Sequence, residues 1–351
     1  MQVGLIGLKF TGKTTLHNAI TGGSRPTGQG GVDPYLATGH VPDARLDRLA
    51  AMFKPKRTVH AAISWVDVPG FSGGVGADGA REAVRFLEHG RKVDALAQVV
   101  RCFGGGYGPA DPAGEMENLA LELTLADLQI VENRAERLAK DKARLGKVAN
   151  PLEPPLMERF KAQLEAGRPL RELELSPDEA KLAAGYAFLT SKPLIIVLNH
   201  EEGAAPDADT LAAAGRAGAA VVSLCARVEA ELAELSSEEA AEFLAALGVD
   251  EPALGRMIRA AYAALDLQSF FTVGPDECRA WTVRRGSTAP VCAGAIHSDL
   301  QRGFIRAEVT AYDDLVAAGD LAAAKAANKV RLEGKAYVVQ DGDILEIRFS
   351  V

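Results

Sequence analysis

Cysteine is scarce: the 351 residues include only Cys102, Cys225, Cys278 and Cys292, with no CxxC pair among them. That spacing excludes a disulfide-stapled fold and fits a reducing compartment. The six histidines (His17, His40, His60, His89, His200, His297) form no HExxH or Cys-His cluster, which argues against a zinc site. Positive charge is in deficit, with 39 Lys and Arg against 47 Asp and Glu for a net −8. This excludes a generally basic nucleic-acid coat but leaves room for a local patch. No apolar stretch reaches the roughly 18 residues of a membrane span. The opening MQVGLIGLKFTGKTT meets polar residues within nine positions, unlike the apolar core of a signal peptide. A cytoplasmic protein with no membrane or DNA partner is expected.

What is present describes a folded, multidomain chain. Hydrophobic residues make up 48% and charged residues 25%, and the length exceeds what one ordinary core holds. Gln2–Ile6, Ala61–Val68, Asp94–Arg101, Leu194–Leu198 and Ala219–Leu224 are short apolar runs separated by helical stretches. Such alternation predicts a mostly parallel sheet with helices on both faces. Leu121, Leu125, Leu128, Val131, Ala135 and Leu138 recur at steps of three and four, predicting an amphipathic helix of coiled-coil character. Asn150-Pro151 and Pro154-Pro155 interrupt it, and Ser176-Pro177-Asp178-Glu179 reads as a new helix start. After residue 266 the pattern turns strand-like at Phe270–Val273, Ala280–Arg284, Phe304–Val309 and Ile344–Phe349, with an Asp341-Gly342-Asp343 turn before the last. The expected division is an α/β nucleotide-binding domain at 1–112 plus 191–266, a helical insertion at 113–190 and a small α+β domain at 267–351.

Gly7-Leu8-Lys9-Phe10-Thr11-Gly12-Lys13-Thr14 fits G-x-x-x-x-G-K-[ST] between a strand and a helix. Glycines let main-chain N–H groups curl around a phosphate, and the helix N-terminus adds its positive dipole end. The residues expected around the phosphates are Phe10, Thr11, Gly12, Lys13, Thr14 and Thr15. Lys13 reaches the β- and γ-phosphates, and the Thr14 hydroxyl binds Mg²⁺. Asp67-x-x-Gly70 follows the strand expected beside the first. There Asp67 can hold the same Mg²⁺ through water, and Gly70 can offer its N–H to the γ-phosphate. Lys13 and Gly70 are thus the phosphate-positioning candidates, and no general base is identified.

Asn199-His200-Glu201-Glu202 ends the fourth buried run, where such sheets present a ligand crevice. Guanine-specific proteins use Asn-Lys-x-Asp there; here the acid is Glu202 and the lysine is replaced by His200. Asn199 can pair with the N6/N7 edge of adenine. His200 either stacks on the base or faces solvent. Cys225 and Ala226, after the next run, can close the base pocket.

In order, GLKFTGKTTLHNAIT, DVPGF, VVRCF, NHEE, CARVEAEL, FFTVGPDECRAWTV, GFIRAEV and LEGKAYVVQDGDILEIRFSV resemble the YchF-type, Obg-like ATPases over nearly the whole chain. The resemblance implies a Ras-like P-loop NTPase domain, a helical coiled-coil insertion and a C-terminal TGS domain of β-grasp fold. It also implies ATP in preference to GTP, through an NxxE motif matched by Asn199 and Glu202. Association with ribosomes and a link to translation and stress responses follow from it too. Phe71 matches the family's hydrophobic residue where Ras-like enzymes keep a water-orienting Gln, and this implies slow hydrolysis.

The chain departs from the family pattern at three places. Lys9 and Phe10 stand where the family has Pro and Asn, which removes the side chain that helps hold a monovalent cation in related proteins. Gly31 falls where the switch I threonine should be, with Thr27 and Thr38 out of register. The stretch Gly104–Gly108 lacks the histidine some members carry. A slow, nucleotide-dependent ATPase switch is the leading expectation. A GTPase and a ribosome adaptor with negligible hydrolysis are the alternatives. Arg279, Arg284, Arg285, Arg302 and Arg306 form either an RNA-facing patch or solvated surface charge, the blander reading being preferred, and Trp281 reads as core.

Overall fold

The computed structural model describes residues 1–27, 33–70, 77–104, 108–217, 220–249 and 251–350. The strands are β1 (Gln2–Ile6), β2 (Tyr35–His40), β3 (Arg57–Val59), β4 (Ala62–Asp67), β5 (Ala95–Cys102), β6 (Leu194–His200), β7 (Ala220–Leu224), β8 (Leu267–Thr272), β9 (Glu277–Arg284), β10 (Phe304–Thr310), β11 (Val330–Glu333) and β12 (Ile344–Phe349). They form two six-stranded sheets, ordered β2-β4-β1-β5-β6-β7 and β11-β10-β12-β8-β9-β3. Two compact units divide the chain: Met1–Ala37 with Ser64–Met257, and Thr38–Ile63 with Ile258–Val351.

In the first unit β4, β1, β5, β6 and β7 pair in parallel. The first six residues of β5 are buried, as both-faced coverage of a parallel sheet requires. Each of the five expected runs contains a strand. The helices of this unit include α1 (Lys13–Thr21), α3 (Ala77–Lys92), α4 (Pro112–Leu145), α5 (Glu153–Glu165), α6 (Pro177–Ala184), α7 (Ala208–Arg216) and α8 (Ala226–Glu234), while α2 (Ala44–Phe53) belongs to the second unit. No helix among the described residues is long and apolar enough to cross a membrane.

The 34-residue α4 starts at Asp111, whose carboxylate caps Gly114 N–H, and ends at Gly146 in the left-handed conformation. Its buried stripe differs from the expected one. Leu121 and Leu125 are exposed, whereas Leu119 and Leu123 are buried against Ile6, Val66 and Leu96. From Leu128 onward Val131 and Leu138 pack with Leu156, Phe160 and Phe188. The helix first covers the sheet and then pairs with α5, and a helix that changes partner changes its buried face. Ser176 is the N-cap that the sequence suggested, and it also forms a full capping box with Glu179. Asp127, wholly buried, accepts from Leu189 N, Thr190 N, Thr190 Oγ1 and Arg91, and so ties α4 to α3 and the entry to β6.

In the second unit β8 and β9 form an antiparallel hairpin, β12 runs parallel to β8, and β10 is antiparallel to β11 and β12. Phe270, Val283, Cys292, Phe304, Val309 and Leu345 lie in its core. Gly342 occupies the turn before β12 at φ 92°, a conformation open to glycine. The sequence-based division put residues 38–63 in the nucleotide domain, but they pack in this unit. Here β3 pairs in parallel with β9, and Arg45 of α2 bridges Asp43 and Asp341 at 2.8 and 3.1 Å. The helical stretch 113–190 lies within the first unit instead of separating from it.

Candidate nucleotide site

The loop between β1 and α1 is shaped by two glycines and one strained residue. Gly7 has φ 142°, and a Cβ there would sit 2.5 Å from Val99 O. Gly12, at φ 95°, is the N-cap of α1, and a Cβ there would collide with the Asn199 amide nitrogen. Phe10 takes φ 65° without being glycine, leaving its ring partly exposed. Such left-handed geometry costs about 1–3 kcal/mol.

Lys13 is buried, and its ammonium donates to Gly7 O at 3.2 Å and Leu8 O at 2.5 Å. Burial pulls its pKa down to about 8, although the charges of Asp67 and Glu115 act in the opposite sense. A bound phosphate would replace the two carbonyls with a full negative charge. Gly70 lies against the same ammonium: a Cβ there would come within 2.6 Å of Lys13 Nζ and 2.9 Å of Leu8 O. Glycine is therefore the one residue that lets this turn approach the loop.

Thr14 Oγ1 donates to Asp67 Oδ2 at 2.8 Å, and Arg25 donates to the same oxygen at 3.1 Å. Asp67 is buried, so its charge needs a partner, and Arg25 is that partner. Asn18 holds the Arg25 main chain through both amide atoms, at 2.8 and 3.2 Å, and the guanidinium lies 4.9 Å from the Tyr35 ring centre. Arg25 carries no sequence signal, being one charge in a loop beyond α1.

At the base segment Asn199 acts as a brace. Its Nδ2 donates to Thr11 O at 2.9 Å and its Oδ1 accepts from Ala226 N at 2.9 Å. The expected two-point pairing with adenine competes with these bonds, because the buried amide already spends its oxygen and one N–H on the protein. Ala226 opens α8 and Cys225 is its N-cap. His200 Nδ1 contacts Glu201 O at 2.8 Å, and Glu202 Oε2 accepts from Arg227 at 3.0 Å. Arg227 was also invisible to motif reading. Thr11 Oγ1 donates to Leu8 O at 3.2 Å within the loop, and Thr15 follows Thr14 in α1. Gly31, Phe71 and residues 105–107 lie outside the described residues.

In the second unit most of the C-terminal arginines are paired. Arg279 meets Glu277 at 3.7 Å, Arg285 meets Asp266 at 3.5 Å, and Arg302 pairs with Asp299. Trp281 packs on the core, donates to Thr272 Oγ1 at 3.0 Å and carries Arg279 over its ring. This fits surface charge and core packing better than an RNA platform.

A glycine-bounded loop between a parallel strand and a helix, with Lys13, Thr14, Asp67 and Gly70 gathered at its mouth, defines a P-loop NTPase. The chain is 41% identical to the ribosome-binding ATPase YchF of Bacillus subtilis across 100% of both. It is 34% identical to Obg-like ATPase 1 of Oryza sativa subsp. japonica, covering 100% of this chain and 92% of that one. The solved YchF GTPase of Schizosaccharomyces pombe matches with a TM-score of 0.87 at 31% identity, over 99% of this chain and 97% of that one. A model of the C-terminal YchF GTPase domain, described as a protein of unknown function, matches residues 267–350. This chain belongs to the YchF family of Obg-like P-loop NTPases.

Proposed function

We propose that the chain is a cytoplasmic, Mg²⁺-dependent ATPase of low intrinsic rate whose nucleotide state controls its binding to ribosomes. The convergence of Lys13, Thr14, Asp67 and Gly70 on one loop mouth carries the reading. Relatives of matching length are named ribosome-binding ATPases. The Thr14 hydroxyl and Asp67 carboxylate are hard oxygen donors suited to Mg²⁺, and a guanidinium already stands in for a cation on Asp67. When bound with nucleotide, Mg²⁺ supplies neutralisation of phosphate charge.

The chain's own groups do the rest. Lys13 trades the carbonyls of Gly7 and Leu8 for phosphate oxygens, while the α1 N-terminus and loop N–H groups hold the remaining charge. Gly70 admits the γ-phosphate where a side chain would block it. Phe71 follows, and a hydrocarbon ring cannot orient water. Turnover on the order of 10⁻⁴ to 10⁻³ per second is therefore expected, as for an unassisted Ras-like protein. The Arg227 pair on Glu202 supports adenine: guanine's paired donors would have to compete with a guanidinium for that carboxylate.

The test is single-turnover hydrolysis of ATP and GTP with and without Mg²⁺, joined to ribosome co-sedimentation in each nucleotide state. A basal rate above about one per second contradicts the slow switch. Ribosome binding indifferent to nucleotide contradicts the control.

A further inference from the structure

Away from the loop mouth, a cavity of about 470 Å³ opens in the first unit at the root of α4. It lies beside Leu194, at the start of β6, whereas the nucleotide site gathers at Asn199 near the end of the same strand. Its size is within the range of small-molecule sites, about 300–1,000 Å³. Three arginines line it: Arg168 and Arg171 from the turn after α5, and Arg216 from the last turn of α7. Met116, Leu123 and Leu194 supply an apolar wall.

The arginines lack what arginines on an acidic protein ordinarily find. Arg171 donates to two main-chain carbonyls, Thr190 O at 3.5 Å and Ala217 O at 3.0 Å. Among the described residues none of the three forms an ion pair with a carboxylate. Burial lowers the Arg171 pKa, and Glu172 is the charge that offsets it. Glu117 and Glu172 also line the cavity, so its formal charge is +1 (three arginines less two glutamates) on a chain of net −8. Guanidinium groups that line one cavity without carboxylate partners offer several N–H donors to a planar or tetrahedral anion.

We propose that this cavity binds a small organic phosphate, its anionic head on Arg168, Arg171 and Arg216 and its apolar body against Met116, Leu123 and Leu194. The site is separate from the P-loop and does not depend on which nucleotide the loop takes. Phenyl phosphate is the probe, titrated calorimetrically into the full-length Lys13→Ala chain so that the P-loop contributes little. The expected result is saturable binding about tenfold tighter than that of inorganic phosphate, equivalent to about 1.4 kcal/mol. Arg168→Glu with Arg216→Glu should weaken it at least about tenfold. Both side chains are exposed, so this variant should keep its melting temperature. Arg171→Gln, which keeps a donor for Ala217 O, is the second variant and should weaken binding alike. No saturable binding, or binding indifferent to the arginine changes, overturns the site. Equal affinity for inorganic phosphate overturns the organic body. Retention of an RNA oligomer by these arginines without phenyl phosphate binding also overturns the proposal.

Discussion

Asn199 and Thr11 lie 188 residues apart and share a hydrogen bond of 2.9 Å, from the side-chain amide of one to the main-chain carbonyl of the other. Through it the end of β6 fixes the curvature of the phosphate loop, and through Ala226 N the same amide fixes the start of α8.

Asn199→Ala should therefore weaken phosphate binding as well as base binding. It leaves Thr11 O and Ala226 N without their buried partner, at about 1–3 kcal/mol for each group. Titration with ATP and with inorganic tripolyphosphate separates the roles. A loss of about tenfold or more in both is expected, whereas a loss confined to ATP would mean that Asn199 only reads the base.

Arg25 bears on the metal. Its guanidinium sits on Asp67 Oδ2, the oxygen that Thr14 also uses, so the proposed Mg²⁺ would have to compete with a resident cation. Arg25→Ala should lower the Mg²⁺ concentration giving half-maximal nucleotide binding by several-fold, and Asp67→Asn should abolish that Mg²⁺ dependence. Nucleotide titrations over a Mg²⁺ series read both, and an unchanged midpoint in Arg25→Ala refutes the competition.

ATP should bind more tightly than GTP, with Arg227 and Glu202 as the discriminating pair. The pair is solvent-exposed, so water screens it and its effect on base choice is modest. Arg227→Ala should narrow the preference by up to about fivefold by releasing the carboxylate. Glu202→Asp with His200→Lys should narrow or reverse it. Equal affinities for the two nucleotides in the unaltered chain would rule out the adenine reading.

Truncation after residue 266 should not leave an intact nucleotide domain. It removes β9, the partner of β3, and Asp341, the partner of Arg45. Limited proteolysis of the truncated chain should cut within residues 38–63 far sooner than in the full chain. Equal protection there would show that this segment holds its structure without β9.

The local features were legible and the distant ones were not. Residues 7–14 announce the phosphate loop because glycine spacing, lysine and a hydroxyl fall within one turn of chain. The helix start at Ser176, with its N-cap, is equally local. The brace role of Asn199 needs a partner 188 residues away, and an asparagine at a strand end suits a ligand as well as a carbonyl. The run through Leu121 and Leu125 misled because periodicity reports a stripe but not which neighbour covers it. Strand β3 has three residues, Arg-Thr-Val, none of them buried, so no alternation marks it.

That short strand has a consequence for the order in which the protein is made. Arg57 meets Glu277 across 220 residues of chain. At synthesis rates of about 5–20 residues per second, the segment leaves the ribosome some 10–45 seconds before its partner exists. The first unit, too, is interrupted by 26 residues (Thr38 through Ile63) that cannot yet find their sheet. The chain thus carries a pending edge through most of its own translation, and closing it is a late, high-contact-order step.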